Sequence, residues 1–157
     1  MADIISDGMV KVGWVTTLSS LTSPTQVQVT AGVDLESFLT PDGLGIELGD
    51  ESVDVSALNS TFSAAKAGRG TVQIELTFKD QGVAAAPWTT FASRPLGYLV
   101  VRTGVAATTD WTAAQKIDIY TCQAGDRKLL APAANEVAKF SVQLFSTTDP
   151  AVAVAMV

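Results

Sequence analysis

Two stretches alternate apolar and polar side chains with a period of two, and that pattern constrains the fold more than any other feature of the chain. In TVQIELTFKD, Val72, Ile74, Leu76 and Phe78 point one way, while Thr71, Gln73, Glu75 and Thr77 point the other. In VAKFSVQLF, Ala138, Phe140, Val142 and Leu144 share a face opposite Lys139, Ser141 and Gln143. A period of two matches a half-buried β-strand and cannot line one face of a helix. GYLVVRTG and KIDIYTCQ, rich in Val, Ile and Tyr, read as further strands, and VKVGWVTTL as a fifth with Gly13 as a candidate bulge.

Helical signals are few. PWTTFASRP places Pro87 at a favourable first position, with Trp88 and Phe91 on one face and Pro95 as a stop. TDWTAAQK allows one turn capped by Thr109 or Asp110. In TSPTQVQVTAGVDLESFLT the β-branched start favours a strand, and DLESFL one helical turn. Between Thr40 and Gly70, Gly, Asp and Ser interrupt the chain, and only GIEL and VDV look strand-like, so a long irregular loop is expected there. The expected architecture is mainly β, a sandwich or barrel with one short flanking α-helix and that loop. The 157 residues suit a single domain, with an N-terminal arm over 1–9, an extended loop over 40–70 and a C-terminal arm over 146–157.

Composition removes most chemistry. The chain has no histidine, which excludes Ser-His-Asp and Cys-His mechanisms and the usual zinc ligands. The single cysteine, Cys122, lies in a strand-like run and reads as a small apolar filler. GLGIELG matches neither a dinucleotide fingerprint nor a phosphate loop and reads as turn punctuation. Asp50, Glu51 and Asp54 cluster in GDESVDV, but their spacing misses the EF-hand pattern, and a solvated loop explains them better than calcium or acid–base catalysis. Neither an enzyme nor a cofactor is expected.

Ten Lys and Arg against sixteen Asp and Glu, a net charge of −6, argue against tight binding to nucleic-acid phosphates. No polybasic membrane patch appears, and the start MADIISDGMV carries no secretory pattern, so no membrane partner is expected. Trp14, Trp88 and Trp111 sit among apolar neighbours and read as core or interface anchors. The last seven residues, AVAVAMV, hold no polar side chain. They are too few for a membrane span, which takes about 20 apolar residues, and uncharged β-prone segments invite pairing. A mainly β chain with such ends reads as a subunit whose edges are covered by copies of itself.

Blocks of the sequence carry a family resemblance. PT…AGVDL (Pro24 to Leu35), FLTPDG (Phe38 to Gly43), VDVSALNSTFSAAKAGR (Val53 to Arg69), a strand ending in TFKD and the late FSVQLFSTTDPAVAVA resemble, in that order, the major tail tube protein of long-tailed siphophages, notably those infecting actinobacteria. The chain departs from that pattern at Gln28-Val29, where relatives carry Glu-Leu in a more helical stretch, and at Lys79-Asp80. The resemblance implies a tail tube fold, a β-sandwich with one flanking helix that is also seen in type VI secretion tubes. It implies hexameric rings that share an inner β-barrel and stack into a hollow tube through which DNA passes without tight binding. Other tail proteins would meet the tube ends, and synthesis would occur in the host cytoplasm before incorporation in the virion tail. On that view Val152, Val154 and Met156 of the closing strip, with Ile46, Val53 and Val55 of the excursion, are candidate contacts between subunits. Gln73, Glu75 and Asp118 are candidates for the lumen lining, or else face outer solvent. The alternative reading is a capsid-decorating or receptor-binding β-sandwich module.

Overall fold

The computed structural model describes residue 3 and residues 5–157; of the arm expected over 1–9, Met1, Ala2 and Ile4 lie outside the described residues. In chain order the elements are β1 (Val10–Val15), α1 (Gln26–Thr30), β2 (Val33–Asp34), β3 (Leu39–Asp54), β4 (Ala65–Lys79), α2 (Ala86–Thr90), β5 (Leu96–Thr103), β6 (Lys116–Leu129), β7 (Lys139–Ser146) and β8 (Ala151–Ala155). All strand pairs are antiparallel, in the order β2-β1-β5-β6-β7-β4-β3, with β8 added to β6 beyond the end of β7. The mainly β expectation therefore holds.

The alternating strands enclose the main core. Ile74, Leu76 and Phe78 of β4 and Phe140, Val142 and Leu144 of β7 meet Val12, Trp14, Leu99, Val101, Tyr120 and Cys122 from the other half of the sheet. One cluster lined from β1 through β4 means that the sheet curls around it, as its right-handed twist favours. Phe91, just past α2, seals the core edge-on to Trp14, with ring centroids 5.1 Å apart. Trp88 meets Phe140 in the same way at 5.1 Å. The helix expected at Pro87 is present but short: it ends at Thr90 with Phe91 as its C-cap, and a turn in which Arg94 takes φ 51 leads on to Pro95.

A second cluster lies on the opposite face of β1, β5 and β6, where Val15, Val100, Ile117 and Ile119 pack with Val29 of α1, Trp111 and Met156. These strands are buried on both faces, so their runs are less cleanly alternating than β4. Beside Trp111, Arg102 is 1% exposed and donates to the carbonyls of Ala106, Thr109 and Asp110 and to Gln115 Oε1 at 2.8–3.1 Å, tying down the β5–β6 loop. Lys11 Nζ lies 5.4 Å from the Trp111 ring and pairs with Glu36 at 3.1 Å and Asp34 at 3.3 Å. Burial pulls the Lys11 ammonium down, but these two carboxylates outweigh it and leave its pKa raised.

Four local expectations change. Gln26–Thr30 is a helix, not a strand, capped by the Thr25 hydroxyl accepting from the Gln28 N–H at 3.4 Å and anchored by buried Val29. The described residues thus hold two short helices. Gly13 pairs in regular register and makes no bulge; the Trp111 ring occupies the space over it. TDWTAAQK forms turns but no helix: Arg102 takes the Thr109 and Asp110 carbonyls, and Ala114, at φ 68, gives its N–H to the Met156 carbonyl. The excursion from Thr40 to Gly70 is mostly a long β-hairpin, without strand pairing between Asp54 and Ala65 and shifted in register between Leu39 and Leu44 and between Asp50 and Ser52. Its glycines serve this pairing. A Cβ on Gly43 would strike the Thr77 carbonyl, and one on Gly68 would come within 3.0 Å of the Glu51 carbonyl at a register shift.

Candidate assembly surfaces

Three surfaces hold the residues singled out in the sequence. The first is the outer half of the β3–β4 hairpin. Only its base covers the core, with Ile46 opposite Ile74 and half-buried against it. Beyond Leu48 and Val72 both faces of both strands are exposed. Val53 and Val55 stay 51% and 45% exposed, and Leu58 and Phe62 at the tip fully or largely so. A two-stranded ribbon with nothing behind it is marginal in water. Of the three candidates from the excursion, Val53 and Val55 are free to meet a neighbour, whereas Ile46 belongs to the chain's own core margin.

The second surface is the outer face of β3, β4 and β7. Register places Glu47 beside Gln73 and Gln73 beside Phe145, with Gly45, Glu75 and Gln143 in the next row. Glu47, Gln73, Glu75 and Gln143 are all exposed and line one shallow depression with Gly45. Two carboxylates and two amides, with no cation among these four, give this patch a negative charge. Glu47 was not among the sequence candidates: GIEL looks strand-like, but only its pairing with Val72–Glu75 of β4 sets Glu47 beside Gln73.

Asp118 does not join that face. On β6 it is an odd number of residues from Gln123, which neighbours Phe145, so the two point to opposite sides of the sheet. Its carboxylate instead accepts the Ala153 N–H at 2.8 Å. An extra residue in β8 between the Ile117–Val154 and Ile119–Ala151 pairs puts Ala153 at φ 55, and Asp118 satisfies the donor that this bulge leaves unpaired.

The third surface is the closing strip. Rather than lying free, it folds back as β8 on Lys116–Ile119. Met156 is 2% exposed inside the second cluster, and it is therefore not available to a neighbouring subunit. Backbone bonds fasten the end: Met156 N–H to Gln115 O at 3.0 Å, Val157 N–H to Pro24 O at 2.9 Å, and Gln26 N–H to Val157 O at 2.8 Å. Val154 is half-covered against Ile117, and Val152 alone of the three candidates points outward, 58% exposed.

No arrangement for chemistry emerges from the described residues. Cys122 is buried, and burial pushes its thiol up to about 12, far from a reactive thiolate. Asp50, Glu51 and Asp54 stand exposed on the hairpin, with Asp54 held below its ordinary carboxylate value by hydrogen bonds from Ser56. The described residues contain no group of three or more His, Cys, Asp or Glu placed to hold a metal ion. No helix among them is long and apolar enough to cross a membrane.

Comparison with known proteins adds two findings. The sequence profile of the family described as "Phage tail tube protein" matches residues 1–157. A chain of a solved assembly described as "Cryo-EM structure of the anti-feeding prophage (AFP) baseplate, 6-fold symmetrised" shares the fold at a TM-score of 0.57 and 12% identity, over 96% of this chain and 95% of that one. A search of curated proteins gives no match.

Proposed function

The chain belongs to the phage tail tube protein family and is a structural component of a phage tail, and from that premise we propose that its copies close into hexameric rings that stack into the tube through which DNA leaves the virion. The observation that carries this reading is the unclosed sheet. Among the described residues β3 has no partner along its outer edge, and at the other end β2 covers only Gly13 and Trp14 of β1. Long open edges are a liability that a second copy removes. The structural neighbour belongs to a six-fold symmetrised baseplate, which supports the ring symmetry. The tail of a siphophage, with other tail proteins at the tube ends and synthesis in the host cytoplasm, completes the proposal.

Gln73 and Glu75, with Glu47 and Gln143 beside them, face the lumen in this reading. Carboxylates and amides there keep phosphates from sticking, and repulsion across a few ångströms survives a Debye length of about 8 Å at physiological ionic strength. Asp118, committed to the β8 bulge, is assigned no lumen role. Purified protein imaged by negative-stain microscopy is expected to show hollow six-fold particles. Protein that stays monomeric at every concentration and salt overturns the proposal. A Glu75→Cys variant separates lumen from outer surface. A bulky maleimide polymer should label it rapidly in monomers and slowly in tubes, and equal rates place Glu75 outside.

A further inference from the structure

The hairpin arm separates its charges by strand. Beyond Glu47, β3 carries Asp50, Glu51 and Asp54 and no cation, whereas β4 carries Lys66 and Arg69 and no acid before Glu75. All five are exposed, and among the described residues none forms an ion pair within the chain. The register explains why. Asp50 lies opposite Gly70, Asp54 opposite Ala65 and Lys66 opposite Val53, and Glu51 meets Gly68-Arg69 only across a register shift.

Both strands also have an open edge. β7 pairs with β4 only from Gln73 to Lys79, which frees the β4 edge from Ala65 to Val72. Between that freed edge and the Ser146–Pro150 turn runs an open groove of about 650 Å³, lined by Leu48, Gly70, Thr71 and Val72 on the hairpin side. Exposed Val53 and Val55 give the acidic strand an apolar component that a neighbouring strand can cover.

We propose that the outer edge of β3 in one copy adds as an antiparallel strand to the freed edge of β4 in a second copy, setting Asp50, Glu51 and Asp54 against that copy's Lys66 and Arg69. The inference rests on the ring assembly proposed above and names the surface that makes its lateral contact. Strands alternate in direction within each hairpin, so copies in the same orientation present β3 antiparallel to the next β4. The two patches differ, so the contact runs head to tail and closes when the rotation closes. A symmetric pairing of β3 with β3 would set carboxylate against carboxylate and is disfavoured.

Two variants test it. Lys66→Glu with Arg69→Glu makes both strands acidic; Asp50→Lys with Glu51→Lys and Asp54→Lys makes both basic. The substituted side chains are all exposed, with one local hydrogen bond among them, from the Ser56 N–H to Asp54, and circular dichroism should show both variants folded. Neither is expected to form rings alone by sedimentation velocity and microscopy. Their equimolar mixture should form rings of alternating subunits, which an even-numbered ring permits. Rings from either variant alone, or a mixture that stays monomeric, overturn the pairing while wild-type rings leave the assembly reading intact; monomeric wild-type protein overturns both. Wild-type association should also weaken at least tenfold between about 0.1 M and 1 M salt, as screening shortens from about 10 to 3 Å. Association insensitive to salt refutes the charge pairing without any variant.

Discussion

Met156 tests whether the closing strip belongs to the fold of its own chain. Its side chain is 2% exposed among Val15, Val29, Trp111, Ile117 and Ile119, and truncating a buried Met to Ala costs about 2–5 kcal/mol through lost transfer energy and the cavity left behind. For a chain of this length each kcal/mol moves the melting temperature by about 2–4 °C, so Met156→Ala should lower it by about 4–20 °C. Val152→Ala is the matched control: Val152 is 58% exposed, and surface substitutions stay within about 0.5 kcal/mol. Thermal unfolding by circular dichroism, at a concentration where the protein is monomeric, keeps assembly out of the comparison. Deleting Ala151–Val157 should destabilise further, because the bonds from Met156, Val157 and Gln26 and the whole β8 ladder go with the side chain. The sequence alone led to a different expectation, Met156 as a candidate contact between subunits. A Met156→Ala variant that melts within 1–2 °C of wild type refutes the structural account and returns the strip to the role of a neighbour contact.

Asp118→Ala should cost about 0.5–1.5 kcal/mol, the net worth of an exposed hydrogen bond, by releasing the Ala153 N–H at the β8 bulge. Asp118→Asn, which keeps an acceptor oxygen, should recover part of it, and equal melting of both variants and wild type removes the clamp. The buried Cys122 thiol, pushed up to about 12, makes stability depend on pH. The folded state holds its proton where the unfolded chain, with a thiol near about 8.5, has lost it. The contribution is therefore complete below that value and declines as pH rises towards 12. Tyr120, raised by burial and by Asp118, acts in the same direction at higher pH. Melting temperature should fall from about pH 8 to pH 10, and Cys122→Ala should flatten the slope; an unchanged slope denies the thiol its part.

Several elements were legible in the sequence because their signal is local. The alternation in TVQIELTFKD and VAKFSVQLF assigned β4 and β7 and their buried faces, since period two encodes which side of a pleat each residue occupies. Pro87 located α2, and the exposed Gln73 and Glu75 followed from the same parity. Where the sequence misled, a distant partner decided. Gln26–Thr30 is β-prone by composition, yet it is helical because Val29 fills the second cluster and the Gln26 N–H bonds the Val157 carbonyl. The glycines and carboxylates from Thr40 to Gly70 look irregular one by one, and only pairing along β4 makes them a strand.

Asp118 shows the same division within one side chain. The sequence placed it in a strand, but a bulge in another strand decided which side it faces and what it binds. What the sequence determined by itself was a β chain with half-buried strands and an acidic net charge, because periodicity and composition need no knowledge of which distant residues meet. The tertiary structure decided which edges stay open, which strand holds the acids and which the cations of the hairpin, and where the apolar end goes. Those depend on register between residues far apart in the chain, and register is set by the core that they close together.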